Sequence, residues 1–266
     1  MSMAIAKIDG GEVTYQTTGS GPPLALLLPQ STGPAGRQAF IDALAKHHSV
    51  LTYDPRGMGA SSSAPEDISM SAQAADVLEL LDALGLDQVS VLGHSTGCGI
   101  ALSLAARNPE RVRAMVLATP WTYADQHLST MQNLRVAAAR VLDPQQYERF
   151  NAALLFPPQF RRADQAGFDR LAAAAPAHPQ DADSIARRLN AILAFDARPL
   201  LPTIQCPTLV AAAIDDQLMP AWFAAEAAAE ISGAQYLEFD GGGHMLLETR
   251  TAELASAVLE FLRAGS

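Results

Sequence analysis

Three short stretches hold residues whose types suit nucleophilic catalysis. "GHSTG" (Gly93 to Gly97) sets Ser95 between glycines two positions away on each side, the G-x-S-x-G pattern of a serine carried on a strained strand-to-helix corner. Glycines there let backbone segments approach without Cβ collisions, and the corner lifts the hydroxyl above a sheet edge. The backbone N–H of Thr96, at the start of the following helix, then points toward a developing oxyanion. The plainer reading is a tight corner whose serine merely caps the helix.

A serine hydroxyl is a weak nucleophile until a base takes its proton, and that base needs a carboxylate to fix its tautomer. Of the six histidines, His244 is the best placed: "FDGGGHMLLE" sets it after a late strand, in a glycine-rich loop that lets an imidazole reach across the sheet edge. His94 adjoins Ser95, but neighbouring side chains diverge at a sharp turn, so it reads as a packed or hydrogen-bonded histidine. His47 and His48 flank a strand start. His127 and His178 fall in a later helical region, where His127 alone suits a pocket wall. Asp215 and Asp216 in "VAAAIDDQLMP" follow a buried strand, at the edge where open α/β sheets bind ligands. A polar turn is the alternative there. The order Ser, Asp, His along the chain is that of an elbow-type triad.

Strands alternating with helices must position these groups. "AKIDGGEVTYQTTG" reads as two strands joined at Asp9-Gly10-Gly11, where glycine supplies positive φ. "LALLLP" (Leu24 to Pro29) is a continuous apolar run, as expected of a strand covered on both faces. A helix (Arg37 to Lys46), the strand "SVLTYD" and the turn "PRGMGASSS" follow. Ala74, Val77, Leu78, Leu81 and Leu84 then recur at helical spacing up to Gly85, a C-terminal cap. The strand "QVSVLG", the helix after Ser95 and the strand "VRAMVLAT" complete the first half. The repeated strand–helix units imply an α/β fold with a largely parallel sheet.

From Pro120 to about Pro202 the alternation stops. Helical stretches such as "MQNLRVAAARVL" and "DSIARRLNAILAF" flank the turn-rich "AAAAPAHPQDAD". Strands and helices resume with "PTLVAAAI", "AWFAAEAAAEI", "AQYLEF" and "ELASAVLEFL". The expected division is a core of residues 1–119 and 203–266 with a helical lid at 120–202 over the carboxyl ends of the strands. The lid holds nine arginines against eight acids, whereas the rest of the chain is strongly acidic. Solvent-facing arginines explain this adequately; the sharper reading is that one or two pair with an anionic substrate.

Composition narrows the function classes. The net charge is −10 with two lysines, Lys7 and Lys46, which argues against a nucleic-acid footprint. No stretch approaches about 18 uninterrupted apolar residues, and the start carries no basic-then-apolar leader, so a cytoplasmic protein without a membrane partner is expected. Cys98 and Cys206 are too few for a disulfide framework or a metal cluster. No phosphate-cradling glycine motif is present. The expected partner is a small-molecule substrate, with no cofactor and no metal, in a monomer or homodimer.

The same stretches carry a resemblance. "YDPRGMGASS", "GHSTG", "DDQLMP" and "GGGHM" together resemble the α/β-hydrolase-fold enzymes over nearly the whole chain. "LLLPQSTGP", "DVLELLDALGLDQV" and "RRLNAILAFDARPLLPTIQCPTLV" are similar to the short-lid branch with 3-oxoadipate enol-lactonases and aminoacrylate hydrolases, which act on small carboxylate-bearing metabolites. The resemblance implies a mostly parallel sheet of about eight strands flanked by helices. It selects Asp216, followed by three residues and a proline, over Asp215. It sets Ser31 where the second oxyanion donor stands in relatives, with the Gln30 side chain as a substitute, because Pro29 has no N–H. Cys98 stands where relatives commonly carry glycine and reads as a small buried thiol.

The expectation is a cofactor-free Ser95–His244–Asp216 hydrolase of an ester, lactone, amide or carbamate, with Thr96 and Ser31 forming the oxyanion hole. The alternatives are C–C bond hydrolysis of a ring-fission diketo acid, haloperoxidase or perhydrolase activity, or a non-catalytic ligand-binding member of the fold. Gln30, Trp121, Tyr123, His127 and Met245 are candidates to contact substrate, and Met131, Leu154, Phe156 and Trp222 are further candidates for the pocket wall.

Overall fold

A computed structural model of the chain describes residues 3–29, 36–177 and 181–264. Eight strands form one sheet in the order β1-β2-β4-β3-β5-β6-β7-β8. They are β1 (Ala4–Ile8), β2 (Gly11–Thr18), β3 (Pro23–Leu27), β4 (Ser49–Asp54), β5 (Val89–His94), β6 (Val112–Ala118), β7 (Thr208–Ala213) and β8 (Gln235–Phe239). Only β2 runs against the others, pairing antiparallel with β1 and β4, and all other pairings are parallel. The first turn is two residues long, Asp9-Gly10, with Gly10 at a φ of +76°.

The period-2 alternation of the strands divides two apolar layers. On one face Leu24 and Leu26 of β3, Leu92 of β5 and Val116 of β6 meet Phe40 and Leu44 of α1 (Gln38–Ala45) and Leu254, Val258 and Phe261 of α11 (Thr251–Ala264). On the other, Ala25, Leu27, Val91 and Leu117 meet α2 (Met70–Ala83) and α3 (Thr96–Arg107). Each fully buried leucine contributes roughly 1.5–3 kcal/mol, so burial on both faces fixes the register of the central strands.

Strand order reverses around β3, which lies between β4 and β5. Chains leaving the sheet on opposite sides of such a point open a crevice beyond its carboxyl edge, and Ser95 follows β5 there. The helix after Ser95 fits that edge very closely. A Cβ on Gly97 would stand 2.0 Å from the Leu27 carbonyl oxygen, and one on Gly93 would stand 2.5 Å from that of Gly97. The two glycines of the motif therefore allow α3 to start against the end of β3.

Between β6 and β7 the chain runs through α4 (Gln126–Val141), α5 (Pro144–Leu155), α6 (Pro158–Ala163), α7 (Gln165–Ala174) and α8 (Ala182–Ala194). Four of these helices begin on aspartate: Asp125, Asp143, Asp164 and Asp181 accept from the backbone N–H groups of Leu128, Gln146, Gly167 and Ser184. Carboxylates there satisfy orphan donors and complement the helix dipole. Three more helices, α9 (Ala221–Glu230), α10 (Leu246–Thr249) and α11, return to the core. Among the described residues no helix is long and apolar enough to cross a membrane.

Gly97→Ala should lower unfolding stability by about 3 kcal/mol, because a backbone carbonyl cannot move aside as a side chain can. Gly233→Ala, which meets nothing within 4 Å but keeps a φ of +72°, should cost only about 1 kcal/mol. Urea denaturation of the two variants beside wild type checks the difference; equal losses would refute the close-packing account.

Candidate active site

Ser95 sits between β5 and α3 at φ 54°, ψ −118°, a region that residues with a Cβ rarely occupy. Two backbone bonds hold it there: its N–H donates to the Ala118 carbonyl at 3.0 Å and its own carbonyl accepts from the Cys98 N–H at 2.8 Å. The Thr96 amide follows at the first position of α3, and Thr96 faces the same cavity as Ser95. The corner thus exposes a hydroxyl and a helix N-terminal N–H to one space.

His244 reaches Ser95 from the far end of the sequence. Its Nε2 lies 2.8 Å from Ser95 Oγ, and its Nδ1 lies 2.8 Å from Asp216 Oδ2. The other Asp216 oxygen accepts from the backbone N–H groups of Leu218 and Met219 at 2.8 and 2.9 Å. The carboxylate therefore cannot rotate without losing three contacts. Because Asp216 can only accept, Nδ1 carries the proton and Nε2 is left to accept from the serine hydroxyl. His244 and Asp216 are both buried.

Asp215, the second choice from sequence, does not touch the imidazole. Its Oδ1 accepts from the Gly243 N–H at 2.7 Å and so ties the histidine loop to the end of β7. That loop turns through Gly241, Gly242 and Gly243 at φ of +157°, +136° and +63°. The helical insertion also grips it, since the His244 N–H donates to the Leu155 carbonyl at 3.0 Å.

His94 is the packed histidine expected from the sequence. It is fully buried, its Nε2–H donates to the His244 carbonyl at 2.9 Å, and its Nδ1 has no partner among the described residues. Burial, with the nearby His244 ring, holds it neutral by lowering its pKa well below the usual value. Cys98 is buried with its Sγ 3.2 Å from the Gly93 carbonyl and 3.3 Å from that of Ala118; burial raises its thiol pKa.

Ser95, Thr96, His244 and Met245 line a cavity of about 170 Å³ between the sheet edge and the helices α4, α5 and α8. Three other substrate-contact candidates lie elsewhere, and each has a structural partner. Trp121 is buried core, its Nε1–H donating to the Ile192 carbonyl at 3.3 Å. The Tyr123 ring lies beneath the Arg198 guanidinium, 4.0 Å away. His127 bonds the Gln217 carbonyl at 2.9 Å and packs edge-on against the exposed Trp222. Phe156 stacks on Phe160, and Met131 and Leu154 belong to the same apolar cluster. Gln30 and Ser31, the expected second half of the oxyanion hole, lie outside the described residues.

The cavity wall also includes Gln132, Arg135, Asn151 and Arg188, none of which was singled out from sequence. A signal was there: Arg135 falls seven residues after Leu128, on the inward stripe of α4 where an apolar residue belongs.

A histidine kept neutral by the fold opposes folding in acid. Below its ordinary pKa of 6.5 the unfolded chain takes up a proton that buried His94 refuses, so stability rises with pH across that range. Unfolding free energy should fall by up to about 1.4 kcal/mol per pH unit below pH 6.5, and His94→Gln should flatten that slope. Chemical denaturation at pH 7.5, 6.5 and 5.5 measures it; an unchanged slope in the variant would remove His94 from the account.

A protein of Azorhizobium caulinodans bearing the name "Putative carbamate hydrolase RutD" is 33% identical over 233 residues, covering 88% of each chain. One of Rhizobium rhizogenes with the same name is 30% identical over 260 residues, 95% of this chain and 98% of its own. The crystal structure of the enol-lactonase from Burkholderia xenovorans LB400 superposes with a TM-score of 0.86 at 25% identity, covering 98% of this chain and 100% of that one. The family model described as alpha/beta hydrolase fold matches residues 28–251, and the chain belongs to that family.

Proposed function

We propose that this protein is a serine hydrolase of small carbonyl compounds, with Ser95 as nucleophile, His244 as base and then acid, and Asp216 as the carboxylate that orients His244. The observation that carries the reading is the bridging imidazole, within 2.8 Å of both Ser95 Oγ and Asp216 Oδ2. Hydrogen-bond reach on both nitrogens is the geometric requirement for an activated serine.

As Ser95 Oγ attacks the carbonyl carbon, its proton passes to His244 Nε2 and the carbonyl oxygen becomes an oxyanion. The Thr96 N–H at the start of α3 is the donor on the described side, stabilising charge that develops only in the transition state. Buried Asp216 favours the imidazolium electrostatically while remaining ionised. His244 then protonates the leaving nitrogen or oxygen as its bond to carbon breaks, leaving an acyl-serine. Water attacks that ester, gives its proton to His244, and the carboxyl product departs as Ser95 regains the proton. Water is the sole co-reactant in this cycle.

The names of the relatives support a C–N or ester bond as the target. Carbamate hydrolysis and enol-lactone opening both pass through a tetrahedral oxyanion, which a serine nucleophile beside a helix N-terminal donor can serve. We infer that the natural substrate is a small carbamate, amide, ester or lactone.

Ser95→Ala should reduce kcat by about 10⁴-fold or more on any true substrate, and Asp216→Asn by a comparable factor through the wrong histidine tautomer. A fluorophosphonate probe should label wild type at Ser95 and leave Ser95→Ala unlabelled. Turnover of carbamates, lactones and esters retained in Ser95→Ala would overturn the assignment.

A further inference from the structure

The helical insertion contains a buried positive charge that the protein does not neutralise. Arg135, on α4, is 8% exposed. Its Nε donates to Asn151 Oδ1 at 3.3 Å and its Nη1 to Gln132 Oε1 at 3.1 Å. Those acceptors are amides, Tyr147 adds a further neutral hydrogen-bond partner, and no carboxylate pairs with Arg135 among the described residues. Burial accordingly lowers its pKa, and Arg188 lies near enough to add like charge.

The acids of the insertion are mostly engaged elsewhere. Asp125, Asp143, Asp164 and Asp181 cap helices, while Asp169, Asp183 and Asp196 pair with Arg149, Arg140 and Arg198. Glu148, also on the cavity wall, forms no ion pair among the described residues, and burial raises its pKa toward the neutral form.

A second observation points the same way. Gln132 is fully buried, and its Nε2 has no hydrogen-bond partner among the described residues. Its orientation is set by Arg135, which can only donate and so claims the Gln132 oxygen. An orphan amide donor stands beside a guanidinium whose partners are all neutral, both on the wall of the cavity that holds Ser95: one donor lacks an acceptor and one charge lacks a counter-charge. Buried donors and charges left this way are costly, and a bound anion removes both costs together.

We propose that Arg135 and Gln132 bind the carboxylate of a monoanionic substrate whose reacting carbonyl sits at Ser95, which makes Arg135 the residue that selects anionic over neutral substrates. This rests on the hydrolase reading above and narrows it to small acids carrying a second, hydrolysable carbonyl group. Guanidinium and amide N–H groups together match the two oxygens of a carboxylate.

The test compares monomethyl malonate, succinate and glutarate with methyl propionate, butyrate and valerate, and reads the ratio of kcat/KM between each acid and its neutral counterpart. Wild type should favour at least one acid. Arg135→Met should cut that ratio by at least about 30-fold, the loss expected on truncating one side of a buried charge pair, Gln132→Leu by a smaller factor, and Arg135→Lys should retain part of it. An equal fall for both ester classes, or an unchanged ratio, overturns the proposal. Should Arg135→Met fail to fold, Arg135→Lys and Gln132→Leu decide by the same ratio.

Binding is read separately, in Ser95→Ala protein. Glutarate or succinate should raise its Tm by at least about 2 °C near saturation, valeramide should not, and the rise should vanish when Arg135→Met is added. Equal stabilisation by inorganic phosphate would overturn the carboxylate assignment. Arg135-dependent dicarboxylate binding without turnover of any ester, lactone, amide or carbamate by wild type would retain the anion site and sink the hydrolase reading. Turnover of both ester classes without acid preference or binding would do the reverse.

Discussion

The site depends on one constraint: the His244 imidazole is buried with no freedom to turn. Asp216 holds one ring nitrogen, Ser95 meets the other, His94 donates to the His244 carbonyl, and the Leu155 carbonyl takes its N–H. Those contacts come from the ends of β5 and β7 and from the helical insertion. A shift of any of these elements by an ångström would break a bond of 3 Å, so the rigidity of the sheet becomes the precision of the site. Asp215 adds to it by anchoring the histidine loop through Gly243 rather than by touching the ring.

That precision is bought with local strain. Ser95 occupies positive φ, three successive glycines bend the histidine loop, and α3 approaches β3 more closely than any Cβ would permit. Such conformations persist where packing on both sheet faces over-determines them. Leu92 and Val91 of β5 face opposite apolar layers, so the strand that ends at the corner can neither rotate nor slip.

The charge of the insertion divides into two parts with different roles. Arg140, Arg149 and Arg198 are exposed and paired with nearby aspartates, contacts that solvent and salt screen. For these the bland reading of lid arginines as surface charge holds. Arg135 differs because burial raises the cost of its charge and the increment of each hydrogen bond together. In a protein of net charge −10, a cavity walled by Arg56, Arg135, Arg187 and Arg188 against Asp76 and Glu148 is a local reversal of sign.

Much of this was legible in the sequence, and the boundary of legibility has a physical cause. Continuous apolar runs marked β3, β5 and β7 because those strands are covered on both faces; G-x-S-x-G marked the corner because only glycine tolerates its contacts; and the order Ser95, Asp216, His244 named three groups that the fold brings together. The helices α5 to α7 were not marked individually within the expected helical region, although Asp143-Pro144 with Gln146 is a capping box readable from residue type alone. Trp121, Tyr123 and His127 were offered to substrate because aromatic and imidazole groups suit pockets. The structure turned them to Ile192, Arg198 and Gln217 instead. Periodicity reports which face of an element is buried, since that is local, but not against what. Which of nine similar arginines in the insertion is walled in without an acid depends on how α4, α5 and α8 pack together, a long-range fact that only the tertiary structure decides.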